Sequence, residues 1–207
     1  MTKPTSPDPA AREAILAAAA ELFSAQGFAG TTIKEIAGKA RVNSALLYYY
    51  FEDKEGLYRA VLAHLMGSVS HAIGGSMADA PSPEEGVRRF VLAQSDRFTA
   101  DRAFAKLLLR ELMDHGAVRL EVPISTVIGN AFRPLAQQIA AGQQAGVFRR
   151  DLDVRFAVLS IVAQVAYFTL AQPLVAQVMG QEGTVPVETA RAFGAHAAEW
   201  AVRALKA

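Results

Sequence analysis

Residues Ser44–Tyr58 read SALLYYYFEDKEGLY, and three of them, Tyr48, Tyr49 and Tyr50, are neighbouring tyrosines. In a helix, side chains step round by about 100° per residue, so three neighbours fan across about 200° and one buried stripe cannot hold them all. Leu47 and Phe51, four apart, define the inner side. Tyr49 and Ala45 then point almost straight out, Tyr48 lies on one flank, and Leu46 and Tyr50 lie on the other. At least one phenol is left at the surface, and a rigid ring with a hydroxyl tip held there is suited to touching a partner.

The chain has 207 residues, 52% of them apolar, enough for one large domain or a small one joined to a larger one. It has no cysteine, which excludes a disulfide framework and thiolate metal sites. The net charge is +1, and the first 66 residues carry equal numbers of basic and acidic side chains, so any DNA reader here must place its cations locally. The alanine-rich N-terminal run is interrupted by Arg12, Glu13 and Glu21, while Ile15, Ala19, Leu22 and Phe23 fall at helical spacing; this reads as an amphipathic helix, not an export signal. Val154 to Ala171 approaches the length of a minimal membrane span, but Arg155, Gln164 and the lack of a second such segment favour a buried helix. A cytoplasmic protein with no membrane partner is expected.

Strand signals are almost absent, and helix starts and stops recur, so the expected class is all-α with about nine helices. Asp8 and Pro9 supply an N-cap followed by proline at the first helical position, and Gly27 closes that helix. Thr32 and Glu35 have the spacing of a capping box, opening a short helix with Ile33, Ile36, Ala37 and Ala40 inward. Asn43 caps the next, Val42 pins the turn between them, and a further start at Asp53 leads into a long helix. The stretch GGSMADAPSP is the clearest linker, which puts the domain boundary between about residues 66 and 82. Beyond it, helices are expected over roughly Pro83 to Thr99, Arg102 to His115, Ile124 to Ala145, Val154 to Met179 and Pro186 to Lys206. Pro134 and Pro173 should kink or end the helices they fall in, and Asp153 should cap the helix after VFRRDLD.

Two short helices joined by a tight turn, with an apolar pin and an exposed second helix, describe a helix-turn-helix. The start of the second helix suits a phosphate, because backbone amides and the positive dipole end face outward there. Asn43 and Ser44 add hydrogen bonding at that end; Tyr48, Tyr49 and Tyr50 can send hydroxyls to phosphates or lay ring edges on thymine methyls, and Lys54 supplies a point charge. Each has a plainer alternative: Tyr48 can pack on the first helix, Lys54 and Lys39 can be solvated charges, and Leu46 can be flank packing.

Phe23, Gly27, Thr31, Thr32, Ile36, Ala37, Val42, Leu47, Tyr48, Phe51, Lys54 and Leu57 stand in the order and spacing of the DNA-binding domain of TetR-family bacterial repressors, which residues 9 to 66 resemble. The resemblance implies a helix-turn-helix DNA-binding domain over 9–69, with its recognition motif at about 32–51, and a helical effector-binding and dimerisation domain over 70–207. It implies that Thr32 touches a phosphate, that Ser44 and Ala45 approach base edges, and that Tyr48, Tyr49, Tyr50 and Lys54 hold the backbone or adjacent bases. One departure is Arg41, where the family usually has glycine; it strains the turn by about 1 kcal/mol or loosens it, and it adds a cation beside the DNA. Asn43 replaces the commoner serine, and both cap well.

No catalytic grouping stands out in the larger half. His64, His71, His115 and His196 are dispersed, no metal site or phosphate-cradling loop is visible, and neither enzyme activity nor a cofactor is expected. The resemblance implies double-stranded DNA, a second copy joined through the last two helices, and a small-molecule effector as partners. Val154–Ala171 is apolar nearly all round and needs cover on every side, and the last helix carries Ala190, Gly194, Ala197, Ala198 and Ala201, small enough for close helix approach. Phe90, Gln94, Phe98, Phe104, Leu108, Met113, Phe132, Gln164, Tyr167 and Phe168 offer an apolar pocket lining with polar anchors, although for any single one ordinary core is the favoured reading. The expected function is a ligand-responsive repressor on a near-palindromic operator. The alternative is a DNA-binding protein whose second half only dimerises or binds a protein.

Overall fold

The structure, a computed structural model, describes residues 8–100, 104, 105, 107, 108, 111 and 121–206. Among these residues the chain is helical with no strand, and one isolated bridge pairs Phe148 with Lys206. The all-α expectation holds. Two compact units form, Met1–Leu65 with Lys106–Pro123, and Met66–Ala105 with Ile124–Ala207.

In the first unit, α1 (Pro9–Gly30) opens where the Asp8 carboxylate accepts the Ala10 N–H at 2.9 Å, with Pro9 at the first position. It breaks at Gly27, whose φ of 77° suits a residue without Cβ. Ile15, Leu16, Ala19 and Phe23 are buried, and the Phe23, Phe28 and Tyr58 rings meet edge-on or stacked within 4.9 to 6.1 Å. The helix α2 (Ile33–Ala40) begins at the Thr32–Glu35 capping box. It ends at Arg41, which is left-handed (φ 57°, ψ 40°); the Val42 N–H reaches back to the Ala37 carbonyl and the Arg41 N–H to Gly38, the paired closure of a Schellman turn. The turn therefore stays tight without glycine.

The Asn43 side chain accepts the Ala45 N–H at 2.9 Å and starts α3 (Ser44–Phe51), whose Leu47 and Phe51 are buried. Fully burying such side chains contributes about 1.5–3 kcal/mol each. The chain then reverses through Glu52 (φ 66°, ψ −55°), with the Asp53 N–H donating to the Phe51 carbonyl at 2.7 Å, a strained γ-turn. Asp53 Oδ1 accepts the Gly56 N–H at 2.7 Å and caps α4 (Lys54–Gly75). Gly56 is required by closeness: a Cβ there would stand 2.2 Å from the Phe51 carbonyl oxygen.

In the second unit, the latter part of α4 buries Met66, Val69 and Ile73. Ser82 caps α5 (Pro83–Ala100), accepting the Glu85 N–H at 3.3 Å. Of the helix expected over Arg102–His115, only Phe104 and Ala105 in this unit and Leu107, Leu108 and Glu111 in the first are described, all helical; Met113 and His115 lie outside the described residues. The single helix expected from Ile124 to Ala145 is interrupted. After α6 (Glu121–Val127) comes a π-helical turn, Ile128–Phe132, and then α7 (Arg133–Gln144). Pro134 has no N–H to give the Asn130 carbonyl four residues back, and the wider turn absorbs that loss. Gly74 of α4 meets the same carbonyl, since a Cβ there would lie 1.8 Å from the Asn130 oxygen; beside it Asn130 Nδ2 donates to Ser70 Oγ at 3.3 Å.

Asp153 caps α8 (Val154–Leu170) as expected, accepting the Arg155 N–H at 2.8 Å. The helix does not run to Met179: with Pro173 in its first turn, α9 (Gln172–Val178) leaves at 87° to α8. No single described helix is long and apolar enough to cross a membrane. The small residues of α10 (Val187–Leu205) are buried within the protomer, and a Cβ on Gly194 would lie 2.3 Å from Ser95 Oγ on α5. That stripe therefore brings α10 against α5, with Arg88 bridging the pair through Glu199 at 2.8 Å.

Candidate nucleic-acid interface and effector region

With Leu47 and Phe51 turned inward, Tyr48 and Tyr49 are 53% and 58% exposed. Ala45 and Asn43 are exposed, and Ser44 and Leu46 are half-buried, so the start and outer side of α3 are open. The Asn43 Oδ1 is engaged in the cap. Arg41 projects from the left-handed turn just before α3 and is exposed.

Tyr50 is placed differently from its two neighbours. It is half-buried, its ring centroid is 5.4 Å from that of Tyr49 and 6.0 Å from that of Phe51, and its hydroxyl donates to the Asp8 carbonyl at 3.0 Å. Its flank of α3 faces the start of α1. There the Arg12 guanidinium also sits 5.5 Å from the Phe51 ring centroid. The phenol that the sequence offered to DNA thus makes a hydrogen bond within the protein, between α3 and the start of α1.

Thr32 is engaged as well. Its N–H and hydroxyl both donate to Glu35 Oε2, at 2.8 and 2.7 Å, and its oxygen accepts the Glu35 N–H at 3.2 Å. These bonds, the hydroxyl's first and then the backbone N–H's, hold the Glu35 carboxyl below its ordinary range, with a smaller contribution from the charge of Lys54. For Thr32 to meet a phosphate, that carboxylate must swing aside. Lys54 lies half-buried with its ammonium over the Phe28 ring of α1, Nζ 4.5 Å from the centroid, so the charge itself is engaged in a cation–π contact. Lys39 pairs with Glu21 of α1.

The residues offered as a pocket lining do not form one group. Phe90, Gln94 and Phe98 line the buried side of α5, and the Phe98 ring packs 5.9 Å from Phe104. Gln94 Nε2 donates to the Val162 carbonyl of α8 at 3.2 Å. Phe132 in the π-turn and Gln164 on α8 are half-buried, and Gln164 bonds its own helix through the Ser160 carbonyl. Phe168 belongs to a separate cluster with Val175, Ala176, Val185 and Ala190, stacked on Phe193 at 4.0 Å. Leu108 is half-buried in the first unit, and Met113 is outside the described residues.

Tyr167 leaves the pocket set altogether, being 60% exposed. A helix apolar on all sides gives no sign of which side faces out, and α8 turns Phe156, Leu159, Ala163 and Tyr167 outward at helical spacing. Phe156 and the exposed Trp200 of α10 line one groove of about 460 Å³, so the apolar surface runs across both helices. None of the expected pocket residues lines that groove.

A short helix pair closed by a Schellman turn, with two tyrosines displayed on the second helix, is the architecture of a helix-turn-helix DNA reader. Comparison with known proteins agrees. Residues 15–61 match the family described as bacterial regulatory proteins, tetR family, and residues 83–196 match the Tetracyclin repressor-like C-terminal domain. The HTH-type transcriptional repressor NicS of Pseudomonas putida is 34% identical over 158 residues, which are 76% of this chain and 74% of NicS. Among solved structures, a tetR-family regulatory protein from Rhodococcus RHA1 superposes with a TM-score of 0.75 at 24% identity, covering 97% of this chain and 98% of that one. The fatty acid degradation regulator FadR from Bacillus halodurans does so with 0.76 at 20%, over 96% and 97%. The chain belongs to the TetR family and is a DNA-binding transcriptional regulator.

Proposed function

We propose that the protein is a dimeric repressor whose DNA-reading domain spans 9–69 and whose 70–207 domain pairs two copies and binds a small-molecule effector that releases the operator. The observation that carries the reading is the outward display of Tyr48 and Tyr49 on a helix whose other side is buried. With Ser44, Ala45, Arg41 and Lys54 around them, they supply base-edge and phosphate contacts, while Asn43 caps the helix and Thr32 joins once Glu35 yields. Tyr50 orients the helix. Two such helices reach successive major grooves when about 34–36 Å apart.

The continuous apolar surface of Phe156, Leu159, Tyr167 and Trp200 supports pairing through α8 and α10, because an uncovered patch of that kind on a soluble protein marks an interaction site. The relative NicS is named a repressor, and a FadR from Bacillus subtilis that shares the fold is described in complex with stearoyl-CoA. An effector releases DNA only by binding the released form more tightly than the DNA-bound one. Fluorescence anisotropy on the promoter region beside the protein's own gene tests the proposal. Sequence-selective binding relieved by a ligand upholds it, and no selective binding at any low salt concentration refutes it.

A further inference from the structure

Buried polar atoms in folded proteins nearly always have a hydrogen-bond partner, so those that do not are informative. Gln94, 3% exposed, gives its Nε2 to Val162 on α8, but its Oε1 is buried without a partner. One turn along α5, the buried Nε of Arg97 has no acceptor, and among the described residues no carboxylate pairs with the Arg97 guanidinium. Residues three apart on a helix are neighbours. Folding thus leaves an orphan acceptor and an orphan donor one turn apart on α5. Ser24 and Gln181 also have a buried polar atom without a bond, but each stands alone.

A group that satisfies both must present a donor to Gln94 Oε1 and an acceptor to Arg97 Nε. The guanidinium is permanently charged, and a partly buried charge calls for an opposite one; a carboxylate matches the guanidinium edge and, with a single charge, costs least to bring beside the apolar Phe90 and Phe98. The neighbours along the same side of α5 are the buried Phe90 and Phe98, the latter packed on Phe104, so the remainder of the molecule is apolar.

We propose that Gln94 and Arg97 form the polar end of the effector site and that the effector is a small carboxylate with an N–H or O–H donor beside an apolar body. This rests on the reading of the protein as effector-responsive, and it specifies the chemical class.

The test uses the full-length protein with benzoate, salicylate and octanoate as probes and benzamide and octanamide as their neutral counterparts. Three readouts are followed: the Arg97 Nε–H resonance, assigned by its loss in Arg97→Leu, the thermal midpoint, and operator release by anisotropy. The carboxylates are expected to move the Arg97 resonance and raise the midpoint, salicylate more than benzoate because it brings a hydroxyl, and the neutral amides are not. Removing one charged hydrogen bond in Arg97→Leu should weaken binding by about 10- to 100-fold. Gln94→Leu, which at similar volume deletes the unpaired acceptor together with the Nε2 bond to the Val162 carbonyl, should fold with a small loss of thermal midpoint and lose the preference for salicylate over benzoate. A silent Arg97 resonance with all three acids, or equal action of acids and amides, overturns the proposal. Release of DNA by neutral compounds alone, unaffected by either substitution, also overturns it while leaving the effector-responsive reading standing. Carboxylate binding that never releases DNA upholds this site and counts against that reading.

Discussion

Replacing Gly56 by alanine opposes two effects of known size. In a helix, alanine is favoured over glycine by about 1 kcal/mol, so propensity alone makes the change stabilising. Against it, the new Cβ would lie 2.2 Å from the Phe51 carbonyl oxygen and 3.3 Å from its carbon. Ordinary C···O contacts are about 3.3 Å or longer, so α4 or the end of α3 must yield by about 1 Å. The obstruction is backbone, locked in the γ-turn at Glu52, and it cannot rotate away as a side chain would. Overpacking of this kind costs about 1–3 kcal/mol, and here the upper part of that range applies. The net expectation is a loss of about 1–2 kcal/mol, together with a displaced α3 and weaker operator binding. Gly38 provides the control: it lies inside α2 with nothing within 4 Å of its Cβ position, so Gly38→Ala should gain about 0.5–1 kcal/mol. Urea titrations of both variants by far-UV circular dichroism, paired with anisotropy on operator DNA, separate the two. A Gly56→Ala protein as stable as the parent with unchanged DNA affinity would refute the reasoning.

Arg41→Gly should raise stability by about 1 kcal/mol, because glycine enters the left-handed region without penalty. If Arg41 touches a phosphate, the slope of log affinity against log salt should also fall by about 0.9, and an unchanged slope rules the contact out. The Asp153 carboxyl is lowered to about 2, chiefly by its hydrogen bond from the Arg155 side chain, and that of Asp151 to about 2 by Arg149. A folded-state pKa below the unfolded one stabilises above about pH 4 and is lost as pH falls towards 2, so the Asp151→Asn, Asp153→Asn double variant should show a flatter acid limb over that window in thermal melts. Leu159→Glu with Tyr167→Glu should give a folded protein that sediments as a single chain and binds operator at least about tenfold more weakly; unchanged sedimentation would exclude the α8 surface from pairing. Gly74→Ala, whose Cβ would fall 1.8 Å from the Asn130 oxygen, should lower the thermal midpoint, whereas Gly129→Ala, with open space around it, should not.

What the sequence made legible was local. The caps at Asp8, Thr32, Asn43 and Asp153 are readable because a cap and its partner lie within three residues of each other. Pro134 and Pro173 announced breaks, but whether a break becomes a π-turn or an 87° bend depends on what packs alongside. Gly56 and Gly74 look like ordinary helix glycines, since their reason is a carbonyl that arrives only on folding. Tyr50 was offered to DNA because its partner, the Asp8 carbonyl, is 42 residues away. The α10 alanines were read as a seam between copies, for nothing in their spacing says that α5 takes that side.

The uncovered side of α8 and α10 has a consequence for dosage. If operator occupancy requires two chains joined there, then while most chains are single the amount of active species grows with the square of their number. Halving the concentration of chains would cut the paired species about fourfold in that regime, so operator occupancy would fall more steeply with expression level than it would for a regulator that binds as a single chain.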